Sequence, residues 1–576
     1  MTKQQTALAV GGMTILAAGI ITAILAAPPT LPTYNVPSSY LSSGGVSSNQ
    51  CAGVTTWTDA NNLYEGFTEA GNPHSGTFTI TYVPSGATTA AIAYNASAST
   101  IATDVAALNA SLSGVTATSY SLMPQTFSGN GPLNTNDVWL SGISALSAGV
   151  GTQVLTVNDS GIVSGSVKVH GAGLIDLLRS LATSTQVNFA TDGCYEVNGG
   201  LKFTQADPTL SIDGNPSSTS GEDAYLYDAC TPPERTAFPC QYSDQVGNPG
   251  LGPILTLTYP FPGTSDPSTV EHLQLYGSSG GIYDSTGAAA SGILLLGTNL
   301  TVINDVTVED VWGDCLTLQP DAAHYSYRVT NLIVENFDGQ QCGRQGISPI
   351  SVDQATFCGT TIGQTGEPSS WDFENDTTGA NQGAEYVTIT GLPCDWGGVT
   401  SQGCSFKGSF NVSTNPAQSG PVLVQDCVQP SLSFTAEGGL KIASESSTSS
   451  TVPNGAWTFV QDQFKCFASI YGPCFHVGAP FTASLRSSIL EVGTNASNTQ
   501  YAWESSDTAI GGITYGANIF FASDCIAGFI GNLAGTPPGG LITGTLSTFQ
   551  AVNTPYPPAT TTGYFEGSKT LCTVVP

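Results

Sequence analysis

Four residues have the types and spacing to do chemistry together. Asp314 follows Trp312-Gly313 and precedes the apolar stretch Leu316-Thr317-Leu318. Arg344 lies in Cys342-Gly343-Arg344-Gln345-Gly346, 30 residues on. Asp372 comes 28 residues later, two before Glu374, and the pair alternates with Trp371 and Phe373. In an extended segment with Trp371 and Phe373 turned inward, both carboxylates turn outward. Carboxylates beside an arginine can do general acid–base work or hold a uronate, and two outward carboxylates can hold Ca²⁺ through oxygen ligands. The competing reading is structural: an aspartate before a strand makes turns through its own side chain, and an arginine can stitch two layers of chain. Scarcity favours function, because the chain has only 12 Lys+Arg in 576 residues. His324 and Tyr325, in the insertion 319–327, are weaker candidates, and His476 reads as an exposed strand residue. No other cofactor signature is evident: phosphate-binding loop, dinucleotide fingerprint and nucleophile elbow are all absent.

The elements that must position these residues are short strands between Gly, Asp and Asn turns. Leu294-Leu295-Leu296, Leu300-Thr301-Val302-Ile303, Val306-Thr307-Val308, Leu316-Thr317-Leu318, Leu332-Ile333-Val334, Ile347-Ser348-Pro349-Ile350 and Tyr386-Val387-Thr388-Ile389 all fit alternation. They recur in two series. One runs Leu316, Ile347, Trp371, in steps of 31 and 24; the other runs Val302, Leu332, Phe357, Val387, in steps of 30, 25 and 30. Repeats of this length predict a solenoid, since one coil cannot bury its own apolar face and must stack on the next. With no helical run between 292 and 391, a parallel β-helix is the expected fold, placing Asp314, Arg344 and Asp372 on successive coils.

Composition sets the class of partner. Only 9% of residues are charged, and the net charge is −30. This excludes nucleic acid, whose phosphates need a basic surface, and leaves a hydroxyl- and amide-rich exterior suited to a polysaccharide. The 14 cysteines all follow residue 50, which points to an oxidising compartment, and Cys230/Cys240, Cys394/Cys404 and Cys466/Cys474 are close enough in sequence to close short loops. Thr6 to Ala27 is an apolar run of 22 residues after Lys3, long enough to span a bilayer. Pro28-Pro29 after it disfavours cleavage, so a membrane anchor is expected, with a cleaved signal peptide as the alternative.

Three further segments shape the outline. Residues 28–75 are expected to be a spacer, Pro/Ser/Gly-rich at first. Residues 76–166 hold an alternating strand at 77–83, a helical spacing at 99–112 and a strand at 154–157; GTFTITY followed by IAYNASASTIATDVAALNA resembles a small β-α module of bacterial and phage surface proteins, which implies a spacer or adhesion role. The helix Leu174 to Leu181, followed by DGCYEV and LSIDGN, resembles the start of pectate-lyase-like right-handed β-helix proteins, where a helix covers the open first coil. WGDCLTL, GRQGIS and WDFEN resemble an actinobacterial and phage group of the same fold. That resemblance implies a fold more than an activity, since such proteins include lyases, hydrolases, epimerases and inert fibres. The Asp-Asp and Gly-His-Gly pattern of polygalacturonases and the basic triad of pectate lyases are missing.

The expectation is therefore an all-β, right-handed parallel β-helix over 174–541, with an N-terminal transmembrane or signal helix at 1–27, a spacer at 28–75, a small α+β domain at 76–166 and a tail at 542–576. It would be an extracellular, cell-surface or secreted protein that binds or cleaves polysaccharide, with Asp372 or Glu374 as acid–base and Arg344 as charge stabiliser. The reading from a different class is a non-catalytic surface or phage-tail-type adhesion stalk.

Overall fold

The computed structural model describes residues 268–320, 327–367 and 369–374 without a break and shorter stretches elsewhere; residues 1–30, 120–137 and 241–250 are among those outside the described set, and beyond 462 only backbone positions are described. Two long sheets run along the molecule, one of 21 strands and one of 11, and every pairing within them is parallel. A typical coil contributes two segments to the larger sheet and one to the smaller. Leu316 pairs with Ile347 and Ile347 with Trp371, so the first series expected from sequence is the true register.

The second series slips by one at its start. Thr301 pairs with Leu332, Leu332 with Ala355 and Ala355 with Val387, while Phe357 pairs with Val334. Val302 and Ile333 belong to a separate apolar cluster outside the main core. Val302 is thus an apolar residue of the outer face, since a one-residue slip exchanges the faces.

The corners between segments are built from left-handed backbone. His272, Asp305, Asn336 and Gly359 stack in register with φ of 53°, 53°, 51° and 63°. Leu300, Asn331, Gln354 and Tyr386 form a second column, with φ from 51° to 61°. Asn and Asp tolerate this region through local hydrogen bonds, whereas Leu and Tyr meet a steric cost of about 1–2 kcal/mol. Stacking repays it by letting each coil's hydrogen-bond ladder continue past the corner. Inside, Phe357, Trp371, Phe373 and Trp457 pack edge-to-face and stacked, with centroids 5.0–6.1 Å apart. Each is fully buried, contributing on the order of 1.5–3 kcal/mol by area.

Both ends differ from expectation. Thr33–Asn35 adds in parallel to Thr185–Asn188 as the first strand of the large sheet, and Val36 and Tyr40 enter the main core. Part of the stretch read as a spacer is thus the lid of the first coil, together with Leu174 and Leu178, the two described residues of the capping helix, which are fully buried. A parallel strand edge needs a partner, and the preceding chain supplies it. At the other end Ile542–Gln550 and Phe565–Glu566 continue the large sheet into the expected tail. The segment 65–169 carries a separate mixed sheet and the helix Ala98–Ala106, capped by Ser97, whose hydroxyl accepts from the Thr100 amide at 3.2 Å.

The membrane-anchor reading falls on residues outside the described set; among the described residues no helix is long and apolar enough to cross a membrane. Among the described residues five disulfides form: Cys51–Cys194, Cys230–Cys240, Cys315–Cys342, Cys358–Cys394 and Cys404–Cys427. The short loop proposed between Cys394 and Cys404 is not one of them. Cys404 is the register partner of Cys427 on the next coil, so stacking rather than sequence proximity chose the pair.

Candidate functional site

Three turns stack tightly to make the site. A Cβ on Gly343 would lie 2.6 Å from the Trp312 carbonyl oxygen, and one on Gly366 would lie 2.1 Å from the Gly343 carbonyl oxygen. Only glycine permits this approach. The Arg344 amide donates to the Gly313 carbonyl at 3.0 Å, and the Glu367 amide to the Arg344 carbonyl at 2.9 Å. Asp314, Arg344 and Glu367 are thereby delivered to one edge of three consecutive coils.

Asp314 is buried, with 1% exposure. Its Oδ2 accepts from Thr317 Oγ1 at 3.0 Å, its Oδ1 accepts from the Gln345 amide at 3.2 Å, and Arg344 Nη1 stands 3.5 Å from Oδ2. Arg344 is itself mostly buried, its side chain 16% exposed, and its Nε lies 3.8 Å from Glu367 Oε2. Asp372 is 3% exposed and accepts a hydrogen bond from Gln345 Nε2. Gln345 Oε1 in turn accepts from Ser348 Oγ at 2.7 Å, and Gln345 Nε2 reaches Glu367 Oε2 at 3.4 Å.

The structure therefore brings Asp314 and Arg344 together directly and joins Asp372 to them through Gln345. Trp371 and Phe373 do face the core, but Asp372 is covered rather than open to solvent. Glu374 occupies a strand position paired with Ser413; its side chain lies outside the described residues. His324 and Tyr325 are also outside the described set, as is the side chain of His476. Among the described residues no group of three or more Asp, Glu, His or Cys side chains is arranged to hold a metal ion, and the Asp372–Glu374 pair of the Ca²⁺ expectation includes a side chain outside the described residues.

Three participants were not foreseen. Gln345 stands 31 residues after Asp314, the same step that separates Leu316 from Ile347, so register alone could have found it. Glu367 precedes its strand in a turn and has no periodic signal. Tyr283 comes from the loop after Ser268–Tyr276; it is 41% exposed, beside Ile282 at 64%. Its phenol is pushed up first by burial and then by the nearby Glu367 carboxylate, while Arg344 opposes the shift. The exposed part of the site is an aromatic ring and an apolar side chain beside a Glu–Arg pair; the buried part is a satisfied polar ladder.

No family model matches the chain, and no curated protein matches it. Among solved structures it is similar to PfbA, a surface adhesin of Streptococcus pneumoniae, at 12% identity over 62% of this chain and 80% of the adhesin, with a TM-score of 0.35. An alginate lyase from Paenibacillus is 13% identical over 57% of this chain and 94% of its own, at a TM-score of 0.31. An exopolygalacturonase from Thermotoga maritima is 10% identical over 63% and 79%, at 0.29. Likenesses of this strength carry no argument about activity, and the parallel β-helix is established by the register of the chain's own sheets.

Proposed function

We propose that this chain is an extracellular parallel β-helix protein that binds polysaccharide at the edge formed by Tyr283, Ile282, Glu367 and Arg344. One observation carries the reading: the exposed Tyr283, whose backbone packs against Gly366, stands next to the Glu367 carboxylate, which lies 3.8 Å from Arg344 Nε, all on a rigid stack of turns. Sugar rings pack their apolar faces on aromatic side chains and give their hydroxyls to charge-assisted acceptors. Five disulfides favour an oxidising compartment. Binding is favoured over cleavage because Asp314 and Asp372, the carboxylates best placed for acid–base work, are buried and committed to Thr317, Gln345 and the Gln345 amide. A general acid or base must reach the proton it moves.

The test is a binding panel of neutral and uronic-acid polysaccharides against the folded protein, Tyr283→Ala and Glu367→Gln, with unsaturated products and reducing ends followed in parallel. Binding by the parent that both substitutions weaken is expected, with no product formed. Undiminished binding by Tyr283→Ala rejects this site, and product formation that persists at saturation returns the chain to the enzymes.

A further inference from the structure

A polar strip runs down the corner where each coil leaves the smaller sheet and enters the larger one. Asn299, Thr330, Asp353 and Glu385 are register partners on four consecutive coils. Val329, Val352 and Ala384, which precede the last three, lie in the main core, so this column faces outward. Beside it runs the left-handed column Leu300, Asn331, Gln354 and Tyr386. Three steps between neighbouring strands make the strip about 14 Å long.

Tyr386 is the member whose identity the fold does not explain. Left-handed backbone favours Asn over Tyr, and Asn331 holds the equivalent place two coils earlier at the same φ of 51°. The tyrosine is 49% exposed, and among the described residues it has no hydrogen bond and no aromatic contact. Burial therefore does not repay the strain. Strain that packing leaves unpaid gathers at positions kept for function.

The neighbours of Tyr386 define what it can hold. Arg328 Nη1 donates to Glu385 Oε2 at 2.7 Å, and its Nη2 donates to the Gly383 carbonyl at 2.6 Å and to the Val352 carbonyl. Both terminal nitrogens are spent on the protein, and the side chain is only 13% exposed, so this arginine fixes Glu385 and is not offered to a ligand. Glu385, at 29% exposure, keeps a face open as an acceptor. Further along, Asn299 Oδ1 accepts from Thr330 Oγ1 at 2.9 Å and from Asn331 Nδ2 at 2.7 Å, which orders an exposed patch of amides and hydroxyl. Burial pushes the Asp353 carboxyl up, Arg328 opposes the rise and Glu385 adds to it. An open ring beside a held acceptor and a row of amides suits the C–H face and hydroxyls of a sugar. A uronate meets two carboxylates and a single committed arginine, and is disfavoured.

We propose that this strip, with Tyr386 as its stacking platform, is a second glycan-contacting surface, for an uncharged polysaccharide laid across successive coils. It rests on the reading of the chain as a polysaccharide binder but not on the Tyr283 edge. Arg344 and Glu367 precede the smaller sheet's strands Ile347–Pro349 and Ser369–Glu374, whereas the strip follows the strands of that sheet.

The test compares the parent, Tyr283→Ala, Tyr386→Asn and the double variant, with Tyr386→Phe as the conservative control. Soluble xylan and β-glucan are the uncharged probes and polygalacturonate the charged one, with affinity read by titration calorimetry and the thermal midpoint measured on every protein. Expected is binding of xylan or glucan that survives Tyr283→Ala, falls severalfold when Tyr386→Asn is added, and is kept by Tyr386→Phe. The midpoint of Tyr386→Asn should be no lower than the parent's, so that lost binding is not lost fold. If the parent binds an uncharged polymer and Tyr283→Ala does not, the strip is overturned and the Tyr283 edge stands. If Tyr386→Asn leaves binding unchanged in the Tyr283→Ala background, the platform is overturned, and a lowered midpoint makes Tyr386 a structural residue. Equal affinity for polygalacturonate overturns the selection by charge. A parent that binds none of the three polymers overturns the strip together with the reading it rests on.

Discussion

Arg344→Met separates a structural stitch from a surface charge. Arg344 is 16% exposed and its partner Asp314 is 1% exposed. Breaking a buried ion pair by removing one partner costs about 3–5 kcal/mol, because a charge is left uncompensated. Two features lower that figure. The Nη1–Oδ2 distance of 3.5 Å makes this a loose pair, and Asp314 keeps the Thr317 hydroxyl and the Gln345 amide as donors. A hydrogen bond to a charged group is worth about 1.5–3 kcal/mol, so the surviving donors carry much of the load and a loss of about 2 kcal/mol remains. At about 2 °C per kcal/mol, the low end of the range for large domains, the thermal midpoint falls by about 4 °C. The second leg is Asp314→Asn, which removes the charge and keeps an acceptor for the Gln345 amide. In the double variant Arg344→Met/Asp314→Asn no charge is stranded, and the midpoint recovers relative to Arg344→Met alone. Calorimetry on the four proteins of this cycle gives the coupling directly. If Arg344→Met melts with the parent and the cycle shows no coupling, the pair behaves as an exposed one and the stitch is wrong.

Burial pushes Asp228 up to about 7 and Asp462 up to about 8, against the pull of backbone donors at Cys230 and Cys427. An acid raised on folding favours the native state below its unfolded value near 3.9, and that advantage fades as pH climbs to the folded value. The thermal midpoint should therefore rise between pH 8 and pH 5, and Asp228→Asn should flatten the profile; a midpoint that falls over this range refutes the assignment. Tyr386 sits at φ 51° and is 49% exposed, so Tyr386→Asn relieves left-handed strain at little packing cost and should stabilise by about 1 kcal/mol in denaturant titration. A destabilised Tyr386→Asn protein would show that the ring packs better than its exposure indicates. Thiol titration of the denatured, unreduced protein should find no more than Cys466, Cys474, Cys525 and Cys572, since the other ten cysteines form five disulfides; a higher count contradicts the pairing.

Much of the solenoid was legible in the sequence because alternation is a local property. Each strand announces its inward residues by their neighbours, and the 31- and 24-residue steps from Leu316 to Ile347 to Trp371 proved to be the register itself. Asp314 and Arg344 were found for the same reason: each stands two or three residues before a strand of that series. The sequence could not say which residues of different coils would touch. Coil length varies, the excess is taken up in loops, and the contact made at a corner depends on how each loop folds back. Hence Glu367, in a turn without periodic signal, became a partner of Arg344, while Asp372 reached the cluster only through Gln345. Val302 misled for a related cause, since hydrophobicity does not distinguish the core from an outer apolar cluster. The Cys51–Cys194 disulfide and the strand Thr33–Asn35 are contacts between segments far apart in sequence. Composition and period determined that the chain stacks its coils in a low-charge solenoid; only the tertiary structure decided which side chains meet across them, because that depends on the sum of every loop between.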